Sequence, residues 1–206
     1  MICVVKILEY NQNYAAQQLR RSRHPLRRII KYFYLNNILH NVRGPTIDFG
    51  CGAGQLLARL PPGSIGLEVN PYLVEELRTM GLKVILYDAD IDQFSFRELP
   101  ENYYKTLVMA HVLEHFADAA QVLGRLLHSC GRLGIQRVIL VVPGARGFQF
   151  DKTHNTFINQ FYLKEQGLLY CEGYRVSKTS YFPFNIESLG NYFVFHEFKV
   201  IYDRAS

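Results

Sequence analysis

From residue 45 onward, short apolar runs alternate with segments patterned as helices, and this alternation limits the available folds more than any other feature of the chain. The runs at 46–49, 64–68, 83–87, 106–110 and 137–142 have strand length. Between them, one helix is expected to open at 54–60 before Pro61-Pro62-Gly63. A second starts at Asn70, an N-cap followed by Pro71, and ends near Met80; a third covers 117–130 through Val122, Leu123, Leu126 and Leu127. Strands separated by helices pair in parallel, and a parallel sheet needs cover on both faces. After residue 170 the helices drop out, and the strand-like stretches at 174–181 and 198–202 predict an antiparallel end to the sheet. Upstream, 12–23 and 25–40 read as two helices split at His24-Pro25. In the second, Leu26, Ile29, Ile30, Phe33 and Ile38 form a stripe aimed at the main domain. The expected organisation is a helical extension at 1–44, capping a substrate, and one domain at 45–206.

With 49% apolar and 20% charged residues, the 206-residue chain has the composition of a globular domain. No apolar run approaches the roughly 18 residues that cross a bilayer, and the opening 1–8 is too short for a secretory core. Cys3, Cys51, Cys130 and Cys171 are widely spaced with no CxxC, which predicts reduced thiols and a cytoplasmic setting. The net charge of +5 is unevenly placed: between Tyr10 and Ile47 there are seven cations and no acid, so the remainder sums to −2. The basic stretch at 20–31 suits a phosphate on a sugar nucleotide, a lipid headgroup or RNA, or else is a solvated helix face.

The most informative motif is Thr46-Ile47-Asp48-Phe49-Gly50-Cys51-Gly52-Ala53-Gly54, which leaves the first parallel strand where open α/β sheets bind ligands. Its glycines run G-x-G-x-G and not the dinucleotide pattern G-x-G-x-x-G, which disfavours a nicotinamide dehydrogenase. Asp48 stands two residues before the first glycine, and Glu68 closes the second strand, where a carboxylate suits a pair of ribose hydroxyls.

Taken with Asp88-Ala89 after the third strand and Ala110-His111-Val112-Leu113-Glu114-His115 after the fourth, this series resembles the class I S-adenosylmethionine-dependent methyltransferases over about 46–162. The resemblance implies an α/β, Rossmann-like, seven-stranded and mostly parallel sheet with an antiparallel last strand and helices on both faces. It also implies roles. Gly50, Cys51 and Gly52 would pass under the methionine part of S-adenosylmethionine, with Asp48 holding that loop. Glu68, with Val69 beside it, would bind the ribose, Asp88 and Ala89 would flank the adenine, and Ala110 and His111 would face the sulfonium. Leu113-Glu114-His115 and Asp151-Lys152-Thr153-His154 resemble the branch that methylates small molecules, sugars and lipid-linked glycans, although Lys152 stands where that branch often has Pro.

A hydroxyl acceptor needs a base as well as alignment, and imidazole is the side chain suited to that near neutral pH. His154 and His115 are the expected catalytic residues, while His24, His40, His128 and His196 fall outside the motifs and read as scaffold. The expected function is O-methylation of a small-molecule or glycan-like acceptor, neutral or anionic, by a cytoplasmic enzyme. Two alternatives accompany it. One is an RNA methyltransferase with a metal on His111, Glu114, His115 and His154, a set resembling that of the small-RNA 2′-O-methyltransferases, with His111 where they carry Glu. The other is a non-catalytic cofactor-binding subunit. Phe148, Phe150, Phe157, Phe161 and Tyr162 either wall an acceptor pocket or fill core, and the aromatics at 181–184 and 192–195 read as core or homodimer contact.

Overall fold

The computed structural model describes residues 12–22 and 25–205; the opening 1–8 with Cys3, and Arg23 and His24, lie outside the described residues. Two N-terminal helices, α1 (Gln12–Ser22) and α2 (Pro25–Leu39), precede the sheet. Its strands are β1 (Thr46–Phe49), β2 (Ile65–Glu68), β3 (Val84–Leu86), β4 (Thr106–Ala110), β5 (Arg137–Pro143), β6 (Tyr170–Cys171), β7 (Tyr174–Phe182) and β8 (Glu197–Arg204), in the order 3-2-1-4-5-8-7-6. β1 to β5 are parallel, β8 runs antiparallel to both β5 and β7, and β6 runs antiparallel to β7.

The fold class is the expected one, with eight strands among the described residues in place of seven. The extra strand is the two-residue β6, folded back on β7 by Glu172 and Gly173, both with left-handed φ (50° and 76°). A second departure lies after β1, where 54–60 was expected to open a helix. Only a 3-10 turn at Leu57–Arg59 forms. Pro61 and Pro62 remove the donors that a longer helix would need, and one turn is too short to propagate.

Alternation along the central strands assigns the two faces. Leu107 and Met109 of β4, with Val138, Leu140 and Val142 of β5, join the larger core beneath α5 (Ala119–Arg132) and α7 (Gln160–Glu165). Val108, Ile139 and Val141 point the other way, onto Tyr34, Leu35 and Ile38 of α2. The docking face of α2 therefore differs in part from the expected stripe. Ile38 is in it, whereas Phe33 is 59% exposed. Lys199 of β8, 5% exposed, ties the same helix down by donating from Nζ to the Asn37 carbonyl (3.0 Å) and to Asn37 Oδ1. None of the described helices is long and apolar enough to cross a membrane.

Candidate active site

The strand order reverses between β1 and β4, so the crevice at their carboxyl ends receives the glycine loop from one side and Ala110-His111 from the other. Gly50 and Cys51 N–H groups donate to the Leu67 carbonyl (2.8 and 3.2 Å), which presses the loop onto β2. Gly50 has φ +71°, and a Cβ there would sit 2.5 Å from Val112 Cγ2. Gly52 has φ +53° with open space where its Cβ would be, leaving bare backbone over the crevice.

Two buried carboxylates govern this loop. Glu68, 6% exposed, accepts from Gly52 N–H at Oε2 (2.7 Å) and from Asn70 N–H at Oε1 (3.0 Å). Burial raises its pKa, and the backbone N–H groups of Asn70, Gly52 and Val69 oppose that rise. Asp48, 3% exposed, keeps Oδ2 without a hydrogen-bond partner, and its pKa is pushed up to about 7 by burial first and the Glu68 charge second. Val69 follows directly on β2. Asp88 and Ala89 lie beyond β3, where Asp88 caps the short helix α4 (Ala89–Asp92) by accepting from Asp90 N–H (2.9 Å). Asp48, Gly50, Cys51, Gly52 and Glu68 thus form one contiguous patch, with Asp88 and Ala89 on the next loop along the same sheet edge.

After β4 the backbone turns left-handed at His111 (φ 57°), and its N–H donates to the Val141 carbonyl (2.9 Å). His111 Nε2 donates to Glu197 Oε1 (3.0 Å), while Nδ1 stands 3.4 Å from Glu114 Oε1. Burial disfavours the charge on His111, but Glu197 and Glu114 outweigh it and raise the pKa to about 10. Glu114 is fully buried in the 3-10 turn Leu113–His115, and neither carboxylate oxygen accepts a well-aligned hydrogen bond.

His115 and His154 meet beside that carboxylate, with ring centroids 4.8 Å apart. Their partners determine which nitrogen carries the proton. His154 Nδ1 faces the Phe148 carbonyl (2.9 Å), which can only accept, so Nδ1 is protonated and Nε2 looks toward Glu114 Oε1 at 3.9 Å. Thr153 Oγ1 donates to Asp151 Oδ1 (2.7 Å) and so receives a proton from His115 Nδ1 (3.1 Å), again leaving Nε2 as the lone pair. Lys152 therefore leaves the Asp151-Thr153 contact intact. One ligand atom each from Glu114, His115 and His154 lies within 4.8 Å of the others, so a divalent cation has a ready donor set here. The expected fourth member, His111, reaches this set only through Glu114.

The aromatic cluster after β5 divides. Phe148 of helix α6 (Ala145–Phe150) stacks on His154 (5.4 Å) and meets Phe157 (5.4 Å), and Tyr162 packs on the core. Phe150 and Phe161 are exposed. Of the aromatics expected in core or at a dimer contact, Phe184, Tyr192, Phe193 and Phe195 are exposed.

Two participants were missed in the sequence. Tyr34 of α2 is buried 5.9 Å from the His111 ring, its hydroxyl unpartnered and its pKa raised by burial and then by Glu197, Glu114 and Asp48. Glu197, at the start of β8, holds His111 from 86 residues away. Neither sits in a recognisable motif, and only the docking of α2 and β8 brings them to the crevice.

Residues 47–134 match a family model described as a methyltransferase domain. No curated protein matches the chain in sequence. Three solved structures are similar in fold. An S-adenosylmethionine-dependent methyltransferase from Archaeoglobus fulgidus is 19% identical with a TM-score of 0.59, covering 98% of this chain and 100% of its own. A magnesium protoporphyrin IX methyltransferase from Synechocystis PCC 6803, with bound S-adenosylhomocysteine, is 14% identical with a TM-score of 0.66, covering 98% and 99%. A putative methyltransferase from Haloferax volcanii, in complex with the Trm112 methyltransferase activator, is 14% identical with a TM-score of 0.65, covering 96% and 97%.

Proposed function

Because this chain carries a class I S-adenosylmethionine-dependent methyltransferase domain, we propose that it methylates an oxygen of a small-molecule or glycan-like acceptor, with imidazole as the base. Bound S-adenosylmethionine supplies a methyl group on a sulfonium, already a good leaving group, so alignment of the acceptor provides much of the rate. In this reading Gly50, Cys51 and Gly52 lie under the methionine portion, and Asp48 steadies their loop. Glu68, beside Val69, accepts from the backbone N–H groups of Gly52 and Asn70 and keeps its remaining acceptor capacity for ribose hydroxyls. Asp88 and Ala89 flank the adenine, and Ala110 and His111 face the reacting methyl. The open backbone above Gly52 and the unpartnered Asp48 Oδ2 support this fit.

The observation that carries the base assignment is the pair of Nδ1–H donations, which leaves Nε2 of His115 and of His154 as the nitrogen able to take a proton. The acceptor hydroxyl gives its proton to one of these nitrogens as its oxygen bonds the methyl carbon and the carbon–sulfur bond breaks. His115, the exposed ring, meets the acceptor first. Calorimetric titration with S-adenosylhomocysteine tests the cofactor site: saturable binding at one site, lost in Glu68→Ala, is expected. His115→Ala and His154→Ala should bind it normally, and at least one should lower turnover by about 10²- to 10⁴-fold. Normal turnover in both variants rejects the imidazole base.

A second reading has a specific observation in its favour. Glu114, His115 and His154 converge on a buried carboxylate that accepts no well-aligned hydrogen bond, a donor set suited to a divalent cation, and the basic N-terminal helices would then serve an RNA acceptor. Activity that survives exhaustive chelation and does not respond to added Mn²⁺ or Zn²⁺ excludes it. The N-terminal extension acts as a cap over the acceptor, and the exposed aromatics at 184–195 form a homodimer contact. The described cysteines are free, with Cys51 and Cys130 buried, which fits a cytoplasmic setting.

A further inference from the structure

His196 has a fully buried side chain with no hydrogen-bond partner on either ring nitrogen. Its slot is made by two glycines: a Cβ on Gly144 or on Gly190 would come within 2.9 Å of Nδ1. Tyr181 stacks on the ring at 5.2 Å, and His196 is among the residues that line a cavity of about 420 Å³. That volume falls within the range of small-molecule sites.

The chemistry of the wall narrows what could enter. Asn159, Ser188, Asn191 and His196 each offer both donor and acceptor capacity, as the hydroxyls of a sugar do. Phe157, 37% exposed, supplies an apolar surface for ring C–H groups. Glu187 is the one carboxylate in the lining, and neither Lys nor Arg lines the cavity, so a phosphate or carboxylate would meet no countercharge. Pro143 and Gly144 put the cavity at the carboxyl end of β5, and Phe157 touches Phe148, which stacks on His154. Two aromatic rings, Phe157 and Phe148, link the cavity wall to the proposed base.

We propose that this cavity is an acceptor subsite for a neutral pyranose ring, with His196 as the buried hydrogen-bonding group at its inner wall. The proposal rests on the methyltransferase reading above, in that the sugar is a unit of the acceptor next to the one methylated. The test is saturation-transfer NMR on the full chain with saturating S-adenosylhomocysteine. The probes are the methyl glycosides of glucose, galactose, mannose and N-acetylglucosamine, with glucose 6-phosphate and choline as charged controls. At least one glycoside should bind, and both controls should fail.

His196→Phe keeps the stacking and removes the orphaned nitrogens. It should weaken the glycoside at least tenfold while leaving S-adenosylhomocysteine affinity and the melting temperature intact or higher. Asn191→Leu, at an exposed position, repeats the test without touching the core. Cofactor binding with no glycoside binding, undiminished glycoside binding in both variants, or tighter binding of a charged control overturns the subsite. Loss of S-adenosylhomocysteine binding with the glycoside signal retained strikes the methyltransferase reading instead and leaves the cavity assignment in place.

Discussion

Asp48 holds its proton more tightly folded than unfolded, with a pKa of about 7 against an ordinary 3.8 caused by burial and by Glu68. The linkage sign follows: the folded state binds the extra proton between those values, so stability falls as pH rises from about 4 to about 7. At about 1.4 kcal/mol per unit, the loss approaches roughly 4 kcal/mol. Asp48→Asn should therefore melt above the parent at pH 8 and keep less than half of that advantage at pH 5, as followed by thermal unfolding at both values. A cationic cofactor beside Asp48 would favour its charged form, so S-adenosylmethionine affinity should increase between pH 6 and pH 8 in the parent and stay flatter in the variant. Lys199 has the opposite trend. Burial and then the nearby Lys178 depress its pKa to about 8 from 10.5, so the unfolded chain binds the extra proton and stability rises between those values. Lys199→Met should abolish that rise in melting temperature between pH 8 and pH 10.

Among the elements, the glycine loop depends on its neighbour β2 as much as on its own glycines. A Cβ on Gly66 would stand 2.7 Å from Cys51 Sγ and 2.8 Å from Leu57 Cδ2. Gly66→Val should cost about 1–3 kcal/mol and abolish S-adenosylhomocysteine binding, read by thermal melts and calorimetry. Sequence patterns revealed β1, β2, β4 and β5 because each is an apolar run closed by glycine, proline or a polar turn. They revealed α3 (Pro71–Thr79) because Asn70 caps it, with its side chain accepting from Tyr72 N–H and Leu73 N–H (3.0 and 3.3 Å). They did not reveal the 3-10 turn at Leu57–Arg59, where leucines in helical register are stopped by two prolines, or β6, which is only two residues long. The Asp48–Gly54 loop, Glu68 and the His-rich turn were recognisable as local motifs. Tyr34, Glu197 and the cavity around His196 were not, because each is made by contacts between distant parts of the chain.

At the scale of the whole molecule, charge and aromatic exposure are segregated. The net positive charge is concentrated between Tyr10 and Ile47, where seven cations stand without an acid, while Phe184, Tyr192, Phe193 and Phe195 are exposed after β7. If the aromatics pair two copies, Tyr192→Ser with Phe193→Ser should shift the sedimentation coefficient to that of a monomer without altering S-adenosylhomocysteine affinity. The strand order has a further consequence. β7 reaches the rest of the sheet only through β8, which is later in the chain. During synthesis, the β6–β7 hairpin must therefore wait outside the ribosome with an open edge until residues 197–204 have emerged and wedged in beside β5. The same insertion delivers Glu197 to His111. A polypeptide halted at residue 196 would keep every glycine of the loop after β1, yet it would leave the edges of β5 and β7 open to other strands.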